Sequence, residues 1–460
     1  VGGGGGVGGT SVIGATGKIG LGGKGGSSGN GGNVEVFHAG GVIETFEASS
    51  YGIFAQSIGG GGGVAGNVDR VLSPKEDGSG TAGLPPLNIG IGVALGQGGG
   101  NGGNGGTVKV DSVGRIITHE LGAHGIFAQS VGGGGGILGT LGNEKLTALD
   151  FTDTDTGNDI ARLGGHIGSM GDAGNGGEVI VSHHGDITTS AESTNGILAQ
   201  SAGGTGLGKT VKIETDGEIH ATGAGSYGIL AQSIGLAGND DITIDVMGGM
   251  VVGGAGTGAG IRFDDGKTNR LTNRGIVMNI DGIDGVAVYG AEGSETIDNY
   301  GTVAGNLVLG GGVNAFNNKI GGTFAAGSHL DLGGPAEVLL NEGVLAPGGR
   351  SNVLTTALNG TLDQRATGAY AVDLDFGSPD PNTDGGNTDF LDATGAASLA
   401  GAVEITLVNP NLIPVGTYSK TVLNADLGVT NNGLMLTTAP SAVISYDLTY
   451  PSANTVGIDY

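Results

Sequence analysis

One string recurs four times along the chain: GIFAQSIG from Gly52, GIFAQSVG from Gly125, GILAQSAG from Gly196 and GILAQSIG from Gly228. The starts lie 73, 71 and 32 residues apart. Ahead of each copy stands a short apolar segment: VEV from Val34, VKV from Val108, VIV from Val179 and VKI from Val211. In the last three copies it begins 17 residues before the Gly-Ile pair, and the first copy has one residue more. Between them lie a glycine turn and a second short run, GGVIET, GRIITH, GDITTS and GEIHAT. A unit is therefore strand, glycine turn, strand, polar turn, strand. These segments are β-branched or apolar and bounded by Gly, Asp, Asn or Ser. None carries a long 3.6-residue apolar stripe. Three short strands cannot bury their own faces, so each unit must stack on like units. The expected fold is all-β: a right-handed parallel β-helix (β-solenoid) with Gly-rich inserted arms and about 4.8 Å between equivalent residues.

Composition narrows the kind of core this stack encloses. Of 460 residues 106 are Gly, aromatics are 4% and Trp is absent, too few bulky side chains for a wide globular interior. A core only a few side chains across needs no more than Val, Ile, Leu and Ala. Gly lacks the every-third-residue period of collagen. Charged residues are 13% and mean hydropathy is +0.10, which argues against a simple disordered chain. The net charge of −26 repels phosphate backbones, so no nucleic-acid partner is expected. With no Cys, neither disulfides nor thiolate chemistry operates. The opening VGGGGGVGG has neither a basic region nor a long apolar run, so no signal peptide is read there.

Three domains are read along the chain. Residues 1–247 form a Gly-rich repeat solenoid, its two long intervals carrying arms such as KIGLGGKGGSSGNGG from Lys18, NIGIGVALGQGGGNGGNGG from Asn88 and HIGSMGDAGNGG from His166. Such arms suit an additional narrow coil or a projecting flap. Residues 248–340 carry regular Asn-x-Gly coils, with Asn273, Asn299 and Asn341 opening the motif and Asn318 a looser version of it. Residues 341–460 are read as a C-terminal cap region. Side chains repeated coil after coil stack into hydrogen-bonded ladders. Two ladders are expected, one of Gln56, Gln129, Gln200 and Gln232 and one of Asn273, Asn299, Asn318 and Asn341. At 20–30 residues per coil the chain would make roughly 15 coils, about 70 Å long.

Over most of its length, the GI(F/L)AQS repeats included, and most specifically from Ile297 to Tyr460, the sequence resembles the passenger region of bacterial autotransporters, the type V secretion family. IDNYGTVAGNLVLGGGVNAFNNKIGGTFAAG (Ile297 to Gly327) is similar to that family's coil unit, and NEGVLAPGGRSNVLTTALNG (Asn341 to Gly360) to its Pro-Gly-x-Ser segment. TDFLDATGAASLAGAVEITL (Thr388 to Leu407) is similar to its Ser-Asp-x-Leu stretch, with Thr388 in place of Ser. The segments VGTYSKTVLNADLGV and VISYDLTYPSANTVGIDY are similar to its last coils before the barrel. The resemblance implies display at the bacterial cell surface or outer membrane, extracellular, with a C-terminal membrane barrel in the full-length protein.

Several motifs suggest chemistry, and each has a plainer structural reading. GGTGLGKT (Gly203 to Thr210) fits a phosphate-binding loop, but VKIETDGEI after it reads as a strand, where a helix is required. GNDDITID, with Asp240 and Asp241, is half of a calcium nonapeptide that works only in tandem. DPNTDG places Asp380, Asn382 and Asp384 as in the start of an EF-hand loop, yet the twelfth position is Leu391 and not a bidentate acid. Both read as polar turns, with adventitious Ca²⁺ as the alternative; DFTDTDTGND around Asp153 and Asp155 is read likewise. His183 and His184 project to opposite faces of a strand, and His119 and His124 have no Cys or carboxylate pair fixed beside them by the repeat. Asp264 and Asp265, near Arg262 and Lys267, resemble the acids of a solenoid polysaccharide-active enzyme but lack further converging acids. The Ser of each AQS recurs too regularly to be a nucleophile. No catalytic, cofactor or metal site is therefore assigned.

The functional expectation is a non-enzymatic adhesive or self-associating rod. Its partners would be a host or neighbouring-cell surface, matrix or glycan, or its own copies. The alternative is a stalk and secretion-folding segment that supports an enzymatic or toxin-like module upstream.

Overall fold

Stacking converts the repeat into three columns of inward-facing side chains. The computed structural model describes residues 29–60, 103–132, 174–204, 206–377, 385–437 and 444–460, plus backbone pairings of Ser11–Val12 with Val68–Asp69 and of Gly20–Leu21 with Ala94–Leu95. The chain winds as a parallel β-solenoid, each turn laying one strand into each of three sheets. In the first sheet the inward residue at successive levels is Val36, Val110, Val181, Ile213, Ile244, Leu271, Ile297, Phe316, Leu339, Leu362, Ala397 and Val429. The second sheet runs likewise from Ile43 through Ile116, Ile187, Ile219, Val251 and Val277 to Leu436. The third runs from Ile53 through Ile126, Ile197, Ile229, Ile261 and Val288 to Ala425. These columns form the core, and their members are buried except at the ends of the stack.

Each level contributes one residue to each column and, from the first and third strands, a second apolar one, as with Val108, Val110, Ile116, Ile126 and Ala128 at one level; a large side chain among them is worth about 1.5–3 kcal/mol on burial. Ordering some twenty residues per level costs more than these burials return. A single level therefore does not hold itself, and stability is shared between neighbours. The first column has twelve levels among the described residues, fewer than the 15 coils expected from length. Length misleads because more than 70 residues separate the first three AQS strands, while register advances by one level each time.

Glycine is needed where the path bends and where coils touch. Between first and second strands the chain turns through Gly114, Gly185 and Gly217, with φ of +118°, +139° and +97°, a region that L side chains avoid. A Cβ on Gly125 would lie 2.4 Å from the Ile187 side chain and 2.6 Å from the Gly196 carbonyl. The Gly of each GI pair is therefore dictated by the level stacked on it.

Two changes occur toward the C-terminus. Core residues shift from Val and Ile to larger Phe and Leu, with the Phe316 and Phe324 rings 4.4 Å apart between centroids. The last strands then reverse: Thr455–Asp459 pairs antiparallel with both Ser419–Ala425 and Asp447–Ser452. This hairpin covers the third sheet's last edge. The only helical element among the described residues is a single 3₁₀ turn, Pro410–Leu412.

Candidate functional site

The four repeated glutamines occupy one outward row of the third sheet. Gln56 Nε2 donates to Gln129 Oε1 at 2.5 Å, Gln129 Nε2 to Gln200 Oε1, and Gln200 Nε2 to Gln232 Oε1. Gln232 Nε2 then donates to Asp264 Oδ2 at 3.1 Å. Every amide points the same way, so successive dipoles reinforce one another. A carboxylate suits the end of such a row, because it only accepts. Arg262 balances its charge, donating from Nη2 to Asp264 Oδ1 at 2.8 Å and from Nη1 to the Tyr227 hydroxyl at 2.8 Å. The guanidinium also lies 5.2 Å from the Tyr227 ring centroid and 4.6 Å from that of Tyr289. Asp265 follows in a left-handed conformation, φ +60°, its carboxyl pushed up to about 6 by burial and then by Asp264. Both Asp264 oxygens are thus engaged, and the group terminates a ladder.

The repeated serines have a different task. Ser57 Oγ donates to the Gly32 carbonyl at 2.7 Å and accepts from the Gly106 amide, one level on, at 2.9 Å. Ser130 links Gly106 to Gly177 in the same way, and Ser201 links Gly177 to Lys209. Each serine is a clip between successive glycine-rich segments. Lys209, the lysine of the phosphate-loop match, pairs with Asp240 at 3.4 Å, and the strand Val211–Asp216 follows it directly. The helix N-terminus that a phosphate site needs is missing from this segment.

A second ladder fills the buried corner after the first strand. Asn273 Nδ2 donates to Asn299 Oδ1, Asn299 to Asn318, and Asn318 to Asn341, each at 2.9 Å. Asn341 continues to Gln364 Oε1 at 3.1 Å. Each of the four asparagines also donates to a main-chain carbonyl of the following level, respectively Thr302, Thr323, Val344 and Ala369. The amides are buried, and their partners account for both N–H bonds of each. Gln364 was missed in the sequence because TLDQRATG carries no Asn-x-Gly signal. Another polar row was also missed: Asn269 Nδ2 donates to Glu295 Oε1 at 2.8 Å, and the Glu295 amide to Asn314 Oδ1 at 2.8 Å. Glu295 Oε2 has no partner among the described residues, and burial pushes this carboxyl up to about 7.

Upstream of Asn273 the same corner holds Val246, Thr215, His183, Ser112 and His38, one per level. His38 Nδ1 and Ser112 Oγ lie 3.0 Å apart. His183 is fully buried and, among the described residues, neither ring nitrogen has a hydrogen-bond partner; Thr215 Oγ1 has none there either. Burial, then the nearby His184 and His38, lower the His183 pKa to about 4, against smaller opposing pulls from the Gly185 backbone and Asp216. His184 faces outward, 3.1 Å from Asp216. His119 is exposed and sits 2.9 Å from Glu44, a carboxylate supplied by the preceding level that local sequence did not reveal. His124 Nδ1 accepts from the Asn195 amide at 2.9 Å.

Asp241 is exposed and Asp240 half-buried in a turn. Asp380, Asn382 and Asp384, Asp153 and Asp155, and most of the three Gly-rich arms lie outside the described residues. Among the described residues no three His, Cys, Asp or Glu side chains converge as a metal site would require. The arrangement holds coils in register, and its recurring chemistry is amide on amide. No protein-family model matches the chain, and no curated protein matches it either.

Proposed function

We propose that this chain is part of a surface-exposed or secreted autotransporter passenger that acts as a non-enzymatic adhesive or self-associating rod. One observation carries the reading: two amide ladders run from level to level beside a narrow apolar core. Such a stack is stiff along its axis and repeats its outer faces at a constant step. Weak contacts made at many steps then sum, which is how a rod adheres without a deep pocket. The resemblance from Ile297 to Tyr460 adds the location, outside the cell. The test is binding of the purified chain to cells, to extracellular matrix and to itself, beside turnover assays on polysaccharides. Binding without turnover is expected; turnover, or failure to bind any of the three, overturns the reading.

A second reading, a stalk and secretion-folding segment for an enzymatic or toxin-like module upstream, is favoured by the C-terminal hairpin. Antiparallel strands that close the end of the stack and bury Val456 and Ile458 make a natural folding seed. Removing residues 341–460 should then abolish surface display, and normal display after truncation removes this reading.

A further inference from the structure

On a chain of net charge −26, one patch carries no charge at all. It is the outer face of the second sheet over four successive levels. Strand alternation turns Met250, Ile276, Met278, Thr302, Ala304 and Thr323 outward there, because Val251, Val277, Val303 and Phe324 between them are buried. One level earlier the face becomes ionic, with Glu218 and His220 3.4 Å apart, and beyond its far end Arg350 pairs with Glu404 at 2.7 Å. Its two long borders differ in sign. Arg274 stands exposed on the leading corner, its guanidinium 5.4 Å from the Tyr300 ring centroid and, among the described residues, without a carboxylate partner. Asp281 and Asp284 stand exposed on the trailing corner of the same level, without a cation partner among the described residues.

We infer that this face docks a second copy of the chain, the two rods lying parallel about a two-fold axis along their length. This rests on the reading of the chain as an association rod and names the surface used. Electrostatics selects the occupant. Two copies of so acidic a chain repel over most orientations, and least where neither presents charge. A two-fold axis parallel to the rods sets each level against itself and the leading corner of one copy against the trailing corner of the other. Arg274 then faces Asp281 of the second copy, and the contact occurs twice. An antiparallel arrangement would set like corners together and lose both pairs. The uncharged centre measures roughly 19 by 13 Å from strand and level spacing, well below the ~800 Å² per partner of a stable complex. Association is therefore weak for one pair and suited to crowded rods.

The experiment is sedimentation equilibrium of the full chain over a wide concentration range at low ionic strength. The wild-type chain should dimerise increasingly with concentration. Ala304→Glu, which sets carboxylates face to face at the centre, should remain monomeric with an unchanged circular dichroism spectrum. Arg274→Glu alone and Asp281→Arg alone should each weaken dimerisation about tenfold or more. An equimolar mixture of those two variants should regain it, since both cross-contacts then join opposite charges. A wild-type dimer indifferent to these substitutions, or no gain on mixing, overturns the face while leaving the rod. A wild-type chain that stays monomeric overturns the proposal, and the cell and matrix binding assay then decides separately whether the rod reading stands.

Discussion

Upstream and downstream of Asn273 the same buried corner is filled in two ways. Downstream, five amides from Asn273 to Gln364 each receive a hydrogen bond or pass one on at every step. Upstream, His183 and Thr215 bury polar atoms without partners. The difference lies in what an amide is. Its oxygen accepts and its NH₂ donates, the two diverging from one planar carbon to span a step of about 4.8 Å, so one amide can answer the next without limit. A hydroxyl has one hydrogen on a short arm, and an imidazole spans its step only in one tautomer. A solenoid corner therefore propagates as Asn and degrades where other residues replace it.

The largest effect should come from breaking the intact ladder. Asn318→Leu leaves Asn341 Oδ1, the Val344 carbonyl and one Asn299 N–H without partners, at about 1–3 kcal/mol each. Hydrogen exchange at the strands Ser294–Asn299 and Val338–Asn341 should report a local loss on the order of 4 kcal/mol. A loss below about 1 kcal/mol would mean that the ladder only decorates the core.

Next comes acid. The native state holds His183 neutral down to about pH 4, whereas an unfolded histidine binds its proton near 6.5. Stability is therefore complete above 6.5, falls as pH drops toward 4 and then levels off, a loss of about 3 kcal/mol. Exchange at Val179–His184 should accelerate over that window, and His183→Gln should flatten the profile. An equal acid response in that variant would assign the effect elsewhere.

The downstream region should answer to base instead. Glu295 is raised to about 7, so the stability of its protonated form is complete below its unfolded value and lost as pH rises to 7. Asp389, pushed up to about 8 by burial against two main-chain N–H bonds, acts with the same sign. Glu295→Gln should then gain about 3 kcal/mol at pH 8 and little at pH 4, read from local exchange at Ser294–Asn299. Equal gains at both values would refute the burial argument. The smallest change is expected from Thr215→Val, which removes a buried unpaired hydroxyl next to Val246 and should stabilise by about 1 kcal/mol. Destabilisation by the same amount would show that Thr215 Oγ1 is satisfied in solution.

The regions also differ in how readable they were. Gln129, Gln200 and Gln232 announce a row because each sits in the same octapeptide, and a repeated neighbourhood forces a repeated place. Asp264 completes that row from RFDDG, which shares none of the octapeptide, so only the register Gln232 to Asp264 discloses it. Gln364 and Glu295 are hidden for the same reason. Glu44 reaches His119 across 75 positions, a distance that local spacing does not encode.

The amino-acid sequence by itself determined the unit: three short strands, the glycines that let them bend and touch, and apolar faces too narrow for anything but stacking. Only the tertiary structure decided what lies beyond one unit: how many levels stand on one another, where each ladder ends, and which ordinary residues line up as an uncharged face. The physical reason is that a strand's hydrogen-bond demand is local in kind but not in partner. Any parallel neighbour satisfies it, and register alone chooses which one.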